Sequence, residues 1–288
     1  MSKILDGKEV SKRILSKLQT EIESHTRAGQ RPPGLCTILV GSDPASKVYV
    51  RNKRKRALEL GIQSFDQDLD ENTTEKELLE LISKLNQDDR VDGVLVQLPL
   101  PSHIDTNKVL CSVDPRKDVD GFHPENVGKL SLGTPLFVPC TPKGCMYLIE
   151  ESGVNLLGSH AVVIGRSNIV GKPMSYMLLN TDATITVCHR YTRDLKSLTL
   201  QADILITATG VPHLIGPEHI KEGAVVIDVG INKLEDGTLV GDVDTQAVLG
   251  KVGAITPVPG GVGPMTISML LENTLIAYRL HLNLKEPS

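Results

Sequence analysis

Tryptophan is absent from this chain, and 3 Phe and 5 Tyr are its only other large aromatics, so its cores must be built from aliphatic side chains. A tyrosine among polar neighbours therefore reads as a stacking surface or hydrogen-bonding group. Long apolar runs are missing too: none approaches the ~20 residues that cross a bilayer. The N-terminal Met1-Ser2-Lys3-Ile4-Leu5-Asp6-Gly7 has no apolar signal core. Neither charge dominates, since 31 Lys+Arg against 35 Asp+Glu gives a formal net charge of -4, which argues against general nucleic-acid binding. The cysteines Cys36, Cys111, Cys140, Cys145 and Cys188 have no Cys-x-x-Cys spacing and no matching histidine pair. Neither a disulfide framework nor a zinc site is expected, and a reducing cytoplasm is the expected location.

What is present is globular: 288 residues, 40% hydrophobic, with 25 Gly and 17 Pro, enough for two domains with real cores. Val10, Ile14, Leu18 and Ile22 recur at helical spacing behind Asp6 as cap, which predicts an amphipathic helix over 8–23. Leu35 to Val40 is a short apolar, partly β-branched run of the kind covered on both faces, and it delivers the chain into Ser42-Asp43-Pro44, a helix opening. A weaker strand over 64–69, a helix over 74–86 and the strand Gly93 to Gln97 continue the alternation that implies a parallel sheet.

The candidate chemistry begins on the helix after Pro44. Tyr49 and Lys53 lie four residues apart, so a phenol and an amine share one face. Arg51, Arg54, Lys55 and Arg56 are expected to crowd Lys53, which favours loss of its proton. Val96-Gln97-Leu98-Pro99 leaves the carboxyl end of a buried strand, where open α/β sheets bind ligands, so the Gln97 amide is expected to share a crevice with that pair. Asp118-Val119-Asp120-Gly121-Phe122-His123-Pro124 reads as an irregular loop with two carboxylates. It is open to a metal ion, or to one carboxylate gripping an amino-pyrimidine-like ligand through two parallel hydrogen bonds; the spacing is not that of a calcium loop.

Pro139-Cys140-Thr141-Pro142 marks a helix start and the expected domain boundary, dividing a catalytic domain, 1–140, from a nucleotide domain, 141–266. In the second half, strand Ala161 to Ile164 runs into Gly165-Arg166-Ser167-Asn168-Ile169-Val170-Gly171, a phosphate-cradling turn in which Ser167 replaces the middle glycine of the dinucleotide fingerprint. Strands over 183–188, 204–207, 224–228 and 254–256 complete a Rossmann-type sheet, with exits at Ala208-Thr209-Gly210 and Val229-Gly230-Ile231. The second strand ends Cys188-His189-Arg190, a cation where an NAD site has an acid, so Arg190 and Arg166 together favour the 2′-phosphate of NADP. Thr256 to Thr266 is a glycine-proline loop suited to close backbone approach, before a final helix over 267–282 that is expected to fold back onto the first domain.

Taken together, Tyr49-x-x-x-Lys53, Val96-Gln97-Leu98-Pro99, Asp120-Gly121, Pro139-Cys140-Thr141-Pro142, Gly165-Arg166-Ser167 and Pro259-Gly260-Gly261-Val262-Gly263-Pro264 resemble the bifunctional methylenetetrahydrofolate dehydrogenase/methenyltetrahydrofolate cyclohydrolase family over essentially the whole chain. The resemblance implies a two-lobed α/β protein, the C-terminal helix (267–288) returning to the first lobe and folate lying in the cleft. It implies Lys53 as catalytic lysine, Tyr49 as stacking residue, Gln97 as partner of the lysine and Asp120 as grip on the pterin, with Val96, Leu98, Pro259, Gly260, Gly261, Val262 and Gly263 as further substrate contacts. It also implies NADP on Gly165, Arg166, Ser167, Arg190, Thr209, Gly210 and Ile231, no metal, and a cytoplasmic homodimer formed through the nucleotide domains. The implied activity is oxidation of 5,10-methylenetetrahydrofolate followed by hydrolysis to 10-formyltetrahydrofolate, feeding one-carbon metabolism. NAD-using relatives that recruit phosphate and magnesium resemble this chain at Arg166, Asp182 and Arg190, and a form lacking one activity is a further alternative. Short-chain dehydrogenases also carry Tyr-x-x-x-Lys, but after their dinucleotide turn; here the order is reversed. A non-enzymatic reading, with Arg51 to Arg56 on nucleic acid or a partner, predicts steeply salt-dependent binding without turnover.

Overall fold

The computed structural model describes residues 2–284. They form two units. One comprises the chain up to Lys12, Leu130–Thr134 and Thr141–Thr266; the other comprises Arg13–Lys129, Pro135–Cys140 and the chain from Ile267 onward.

Strand β1 (Lys3–Ile4) precedes helix α1 (Gly7–Arg27), whose first amides are held by Asp6: Oδ1 accepts from Lys8 at 2.8 Å and Glu9 at 3.3 Å. Val10, Ile14, Leu18 and Ile22 form its buried stripe. β2 (Gly34–Val40) is buried at every residue, as a strand covered on both faces must be. α2 (Pro44–Glu59) opens with proline in the first turn, and Asp43 accepts the Ser46 amide at 2.7 Å. The single strand expected over 64–69 is instead two, β3 (Gln63–Ser64) and β4 (Gln67–Leu69), which pair in succession along β2. The break falls at Phe65-Asp66, where the Asp66 carboxylate turns to meet Arg54 at 3.0 Å.

α3 (Glu75–Asn86) carries a Thr74/Glu77 capping box, and β5 (Gly93–Val96) pairs in parallel with β2 on the side away from β3 and β4. After α4 (Thr106–Ser112) the chain passes alongside β5, the Lys117 carbonyl accepting the Val94 amide at 2.7 Å. The stretch then expected to be irregular ends in a helix, α5 (Pro124–Ser131). Proline at the first helical position needs no amide partner, and Asp118 satisfies the Phe122 and His123 amides just before it.

α6 (Cys140–Ser152), β6 (His160–Ile164), α7 (Gly171–Leu179), β7 (Thr184–Cys188), α8 (Leu195–Thr199), β8 (Ile204–Thr207) and β9 (Val225–Asp228) follow in alternation. A small antiparallel ribbon, β10 (Asn232–Lys233) with β11 (Leu239–Val240), then α9 (Thr245–Val248) and β12 (Ala254–Ile255), completes this unit. Its sheet is parallel, in the order β1-β12-β9-β8-β6-β7. The order reverses at β6, flanked by β7 on one side and β8 on the other, which is the switch point where such sheets bind ligands. Below the strands Val162, Ile164, Leu205, Val226, Ile255 and their neighbours make an aliphatic core. β1, which pairs Lys3 with Ala254, was not legible beforehand because two residues carry no periodicity.

The last helix, α10 (Val262–His281), begins inside the expected glycine-proline loop rather than at Ile267. Val262 and Gly263 are thus helical, and Pro264 fits because a first turn has no internal amide bonds to lose. Farther along α10, Asn273 donates to the Val119 and Val138 carbonyls at 2.8 and 2.9 Å, and Tyr278 to the Arg31 carbonyl at 2.8 Å. Nearby, Asp92 is 1% exposed and accepts both terminal nitrogens of Arg31 at 2.7 Å, the Gly34 amide at 2.7 Å and His281 at 2.8 Å. Asp92→Ala strands a partly buried guanidinium and an amide together. A loss of ~3 kcal/mol is expected, readable as a lower denaturant midpoint at unchanged slope.

Candidate active site

The buried face of α2 presents Ser46, Val50, Lys53 and Ala57 inward. Lys53 is 7% exposed, yet its Nζ meets a polar partner: it donates to Gln97 Oε1 at 3.0 Å. Gln97 stands directly after β5, tied to β2 through its amide and the Ile38 carbonyl at 2.9 Å. Its own side-chain nitrogen donates to the Leu98 carbonyl at 2.7 Å, which fixes the amide orientation and turns the oxygen toward the lysine. Tyr49 lies one turn before Lys53 and is 38% exposed; burial of the rest pushes its phenol above the usual range. Of the Tyr49–Lys53 pair expected to share a crevice with Gln97, Lys53 is in direct hydrogen-bond contact with it. Val96 is in the core cluster of this unit, so only its backbone can meet a ligand, whereas Leu98 is half-buried.

Three of the four cations expected to crowd Lys53 are bound by acids instead. Arg54 is bound by Asp66 at 3.0 Å and Asp68 at 2.7 Å, and Lys55 and Arg56 reach Glu59 at 3.9 and 2.7 Å. Arg54 and Lys55, one and two places on from Lys53, lie on other faces of the helix, and Arg56, three places on, is taken up by Glu59. The charge that does face Lys53 is Asp120.

The two carboxylates of the 118–124 segment part company. Asp118 is buried and organises the chain around it, accepting the Phe122 amide at 3.2 Å, the His123 amide at 2.8 Å and Asn126 Nδ2 at 2.8 Å. Asp120 has no such backbone donors. Burial raises its carboxyl above the usual range, opposed by the Lys53 ammonium and by the Cys140 thiol, which also lies 3.4 Å from the Val119 carbonyl. A desolvated carboxylate with free acceptor capacity suits a ligand carrying paired N–H donors. Among the described residues, no cluster of three or more His, Cys, Asp or Glu is placed to hold a metal ion.

In the other unit, the exits of β7, β6, β8 and β9 lie side by side in one register, Cys188 beside Ile164, Ile164 beside Thr207 and Thr207 beside Asp228. Their loops therefore bring Arg190, the Gly165-Arg166-Ser167 turn, Thr209-Gly210 and Ile231 to one edge. The Ile255 exit adds Pro259, Gly260 and Gly261, and Gly263 approaches Ile231. A Cβ at Gly171 would stand 2.1 Å from the Gly165 carbonyl, so only glycine lets α7 start this close under the turn. The Ser167 hydroxyl, in the place of the fingerprint's middle glycine, accepts the Val170 and Gly171 amides at 3.1 and 3.3 Å. Arg166 is exposed, and the exposed Arg190 guanidinium lies over the Tyr191 ring, 4.6 Å from its centre. This turn, with two exposed arginines at its rim, fits a phosphorylated dinucleotide.

Three contributors escaped sequence reasoning. Cys140 and Asn273 shape the Asp120 segment from far along the chain, and Asp242 binds the Thr209-Gly210 loop. A buried asparagine in an apolar helix was the available signal for Asn273 and the Pro139-Cys140-Thr141-Pro142 motif that for Cys140; Asp242 had none.

A parallel α/β sheet with a dinucleotide turn at its switch point, in a chain that also holds a lysine–amide–carboxylate centre, defines an NAD(P)-binding enzyme. The chain belongs to the tetrahydrofolate dehydrogenase/cyclohydrolase family: residues 5–120 match the model of its catalytic domain and residues 139–282 that of its NAD(P)-binding domain. It is 55% identical to the bifunctional protein FolD of Acetivibrio thermocellus over 284 residues, 99% of each chain. The crystal structure of the bifunctional enzyme FolD from Campylobacter jejuni superposes with a TM-score of 0.95 at 51% identity, covering 97% of this chain and 99% of that one. The Trypanosoma brucei dehydrogenase-cyclohydrolase, solved with NADP cofactor and an inhibitor, gives 0.94 at 40% identity, covering 98% of both.

Proposed function

We propose that the two activities of this tetrahydrofolate dehydrogenase/cyclohydrolase run in succession, NADP-dependent oxidation of 5,10-methylenetetrahydrofolate preceding hydrolysis of the 5,10-methenyl product to 10-formyltetrahydrofolate. The observation that carries the reading is the Lys53–Gln97 contact facing Asp120, because it supplies a positioned proton carrier beside a carboxylate able to grip the pterin. Tyr49, exposed one turn away, is the stacking surface. NADP, when bound, supplies the hydride acceptor for the first step. The chain's part in that step is to hold the cofactor's phosphates at the Gly165 turn, to engage the 2′-phosphate with Arg166 and Arg190, and to present Thr209, Gly210 and Ile231 beside it.

In the second step water adds to the methenyl carbon and gives up one proton, and as the bond from that carbon to N5 breaks, the hydroxyl proton of the adduct passes to N5 and the formyl group stays on N10. Lys53 is the group placed to carry that proton. The reading is tested by following methenyl absorbance with methylenetetrahydrofolate and NADP, then with NAD plus phosphate and magnesium. Turnover only under the second condition would replace it by the NAD-using variant. For the double variant Arg166→Ala, Arg190→Ala, kcat/KM for NADP is expected to fall ~10²-fold or more and that for NAD by far less, since each charge-assisted phosphate contact is worth ~1.5–3 kcal/mol. An equal fall for both cofactors removes the arginines from cofactor choice.

The assembly assigned is a homodimer through the nucleotide units. β7 is the outer strand of its sheet, bonded only to β6, and Val187 (41% exposed), Leu179 and Tyr191 leave apolar surface around it. A second copy covers such an edge, and sedimentation at the monomer mass would contradict it. A reducing, cytoplasmic setting agrees with five free cysteines, four of them buried. No helix among the described residues is long and apolar enough to cross a membrane.

A further inference from the structure

Two aspartates that no step above uses are buried at the exit edge of the parallel sheet. Asp242, fully buried between β11 and α9, takes three donors: the Thr209 amide at 2.6 Å and the Gly210 amide at 3.3 Å on Oδ2, and Asn232 Nδ2 at 3.0 Å on Oδ1. It thus ties the loop after β8 to the ribbon after β9. Asp228, the last residue of β9, secures Asp242 in turn. Its Oδ1 accepts the Thr207 hydroxyl at 3.0 Å and the Gly230 and Asp242 amides at 2.9 and 3.1 Å, and its Oδ2 the Val243 amide at 2.9 Å. The packing leaves no slack, since a Cβ at Gly230 would fall 2.2 Å from Asp242 Oδ1.

We propose that Asp242 is a positioning residue for the dinucleotide, its carboxylate setting the loops that carry Thr209, Gly210 and Ile231 in the register that receives NADP. The proposal rests on the reading of those three residues as nucleotide contacts. An ionised carboxylate is the only side chain of this size that accepts on both ends, and all three groups hydrogen-bonded to the Asp242 oxygens are donors. Stability alone does not account for the arrangement, because two neighbouring carboxylates out of water oppose folding. The strain is visible at Asp228, whose carboxyl is pushed up to about 6, by burial first and by the Asp242 charge as well, against its amide hydrogen bonds. Backbone bonds from His213 to Gly241 and from Ile215 to Asp242, with the Ile215–Val243 bridge, already join the two segments farther along; what the pair adds is a fixed place for Thr209 and Gly210 at the exit edge itself.

Asp242→Asn keeps the shape but aims an NH2 group at donors on one side. NADP binding measured by calorimetry, and KM for NADP in the dehydrogenase assay, are expected to weaken on the order of 10²-fold, the cost of a reacting group misplaced by about 1 Å. Hydrolysis of methenyltetrahydrofolate without NADP should keep wild-type kcat and KM. Asn232→Leu, which removes one donor only, should weaken NADP about tenfold and serves if the first variant does not fold. Equal loss of NADP binding and NADP-free hydrolysis in Asn232→Leu would make the network merely structural and overturn the proposal, as would wild-type NADP affinity in either variant. Ile231→Asp separates the two possible failures. Weakened NADP binding there with none in Asp242→Asn defeats the positioning role alone, whereas no change in either defeats the assignment of the nucleotide loops as well.

Discussion

Lys53→Met is expected to abolish hydrolysis of the methenyl substrate while leaving measurable oxidation of the methylene substrate, so that the methenyl compound accumulates in the medium. The asymmetry follows from the chemistry. Hydride transfer needs two carbons aligned, whereas hydrolysis must also move a proton as water adds and the ring opens. Lys53, the proposed carrier of that proton, donates to Gln97 Oε1 at 3.0 Å, and the Gln97 amide is itself locked by the Leu98 carbonyl. Methionine keeps the length and apolar stem of lysine, so the buried face of α2 stays filled and the amine is what is lost. A positioned proton carrier typically contributes ~10²–10⁴-fold, and that share should vanish from hydrolysis alone. Stopped-time absorbance of the methenyl compound with NADP, wild type beside variant, is the measurement. Equal loss of both activities would make Lys53 a binding residue, and intact hydrolysis would place the proton transfer elsewhere.

Asp120→Asn is expected to raise the thermal midpoint and to abolish or severely weaken both activities at once. Burial is the largest influence on Asp120 and holds its carboxyl above the ordinary range, with Lys53 pulling the other way. A carboxyl whose folded value is raised stabilises the fold most when protonated, below its unfolded value, and that contribution is lost as pH rises through the folded value. The neutral amide escapes the penalty at every pH, hence the stability gain near neutrality. Ligand binding runs the opposite way, because two parallel hydrogen bonds from an amino-pyrimidine need both carboxylate oxygens as acceptors. KM for the folate should therefore climb on the acid side in the wild type, from a pH above that of a free aspartate, and the amide variant should lack this limb. Scanning calorimetry together with a pH series of initial rates tests both signs. An unchanged KM, or a lowered midpoint, would show that Asp120 serves the fold. Chelators are expected to leave NADP-dependent turnover unaltered, and activity restored by a divalent ion would return the 118–124 segment to a metal role.

The positions of the candidate residues were legible wherever the signal is local. Asp43-Pro44 opens α2, Thr74 with Glu77 opens α3, and Gly165 to Gly171 closes a turn whose tightness only glycine permits. Buried strands betrayed themselves as short aliphatic runs, and their exits located Gln97, Thr209-Gly210 and Ile231 at carboxyl ends from the sequence alone. The reading failed where a partner from elsewhere decides. Arg54 looks in sequence like a neighbour of Lys53, but Asp66 and Asp68 claim it. Asp118 and Asp120 look alike as a pair, but amides of Phe122 and His123 consume the first and leave the second open.

By itself, then, the sequence determined the alternation of helices and parallel strands, the dinucleotide turn and the family, because hydrophobic period, capping and turn chemistry act over a few residues and leave their pattern in the letters. Only the tertiary structure decided which of the two acids keeps free acceptor capacity, how the charges around Lys53 are neutralised, where the two-residue strand at Lys3 pairs, and that Asp242 reaches across to Thr209. Those outcomes depend on which buried donors and acceptors meet once distant segments pack. A polar group withdrawn from water must take whatever partner the fold brings to it, and that partner has no fixed distance along the chain.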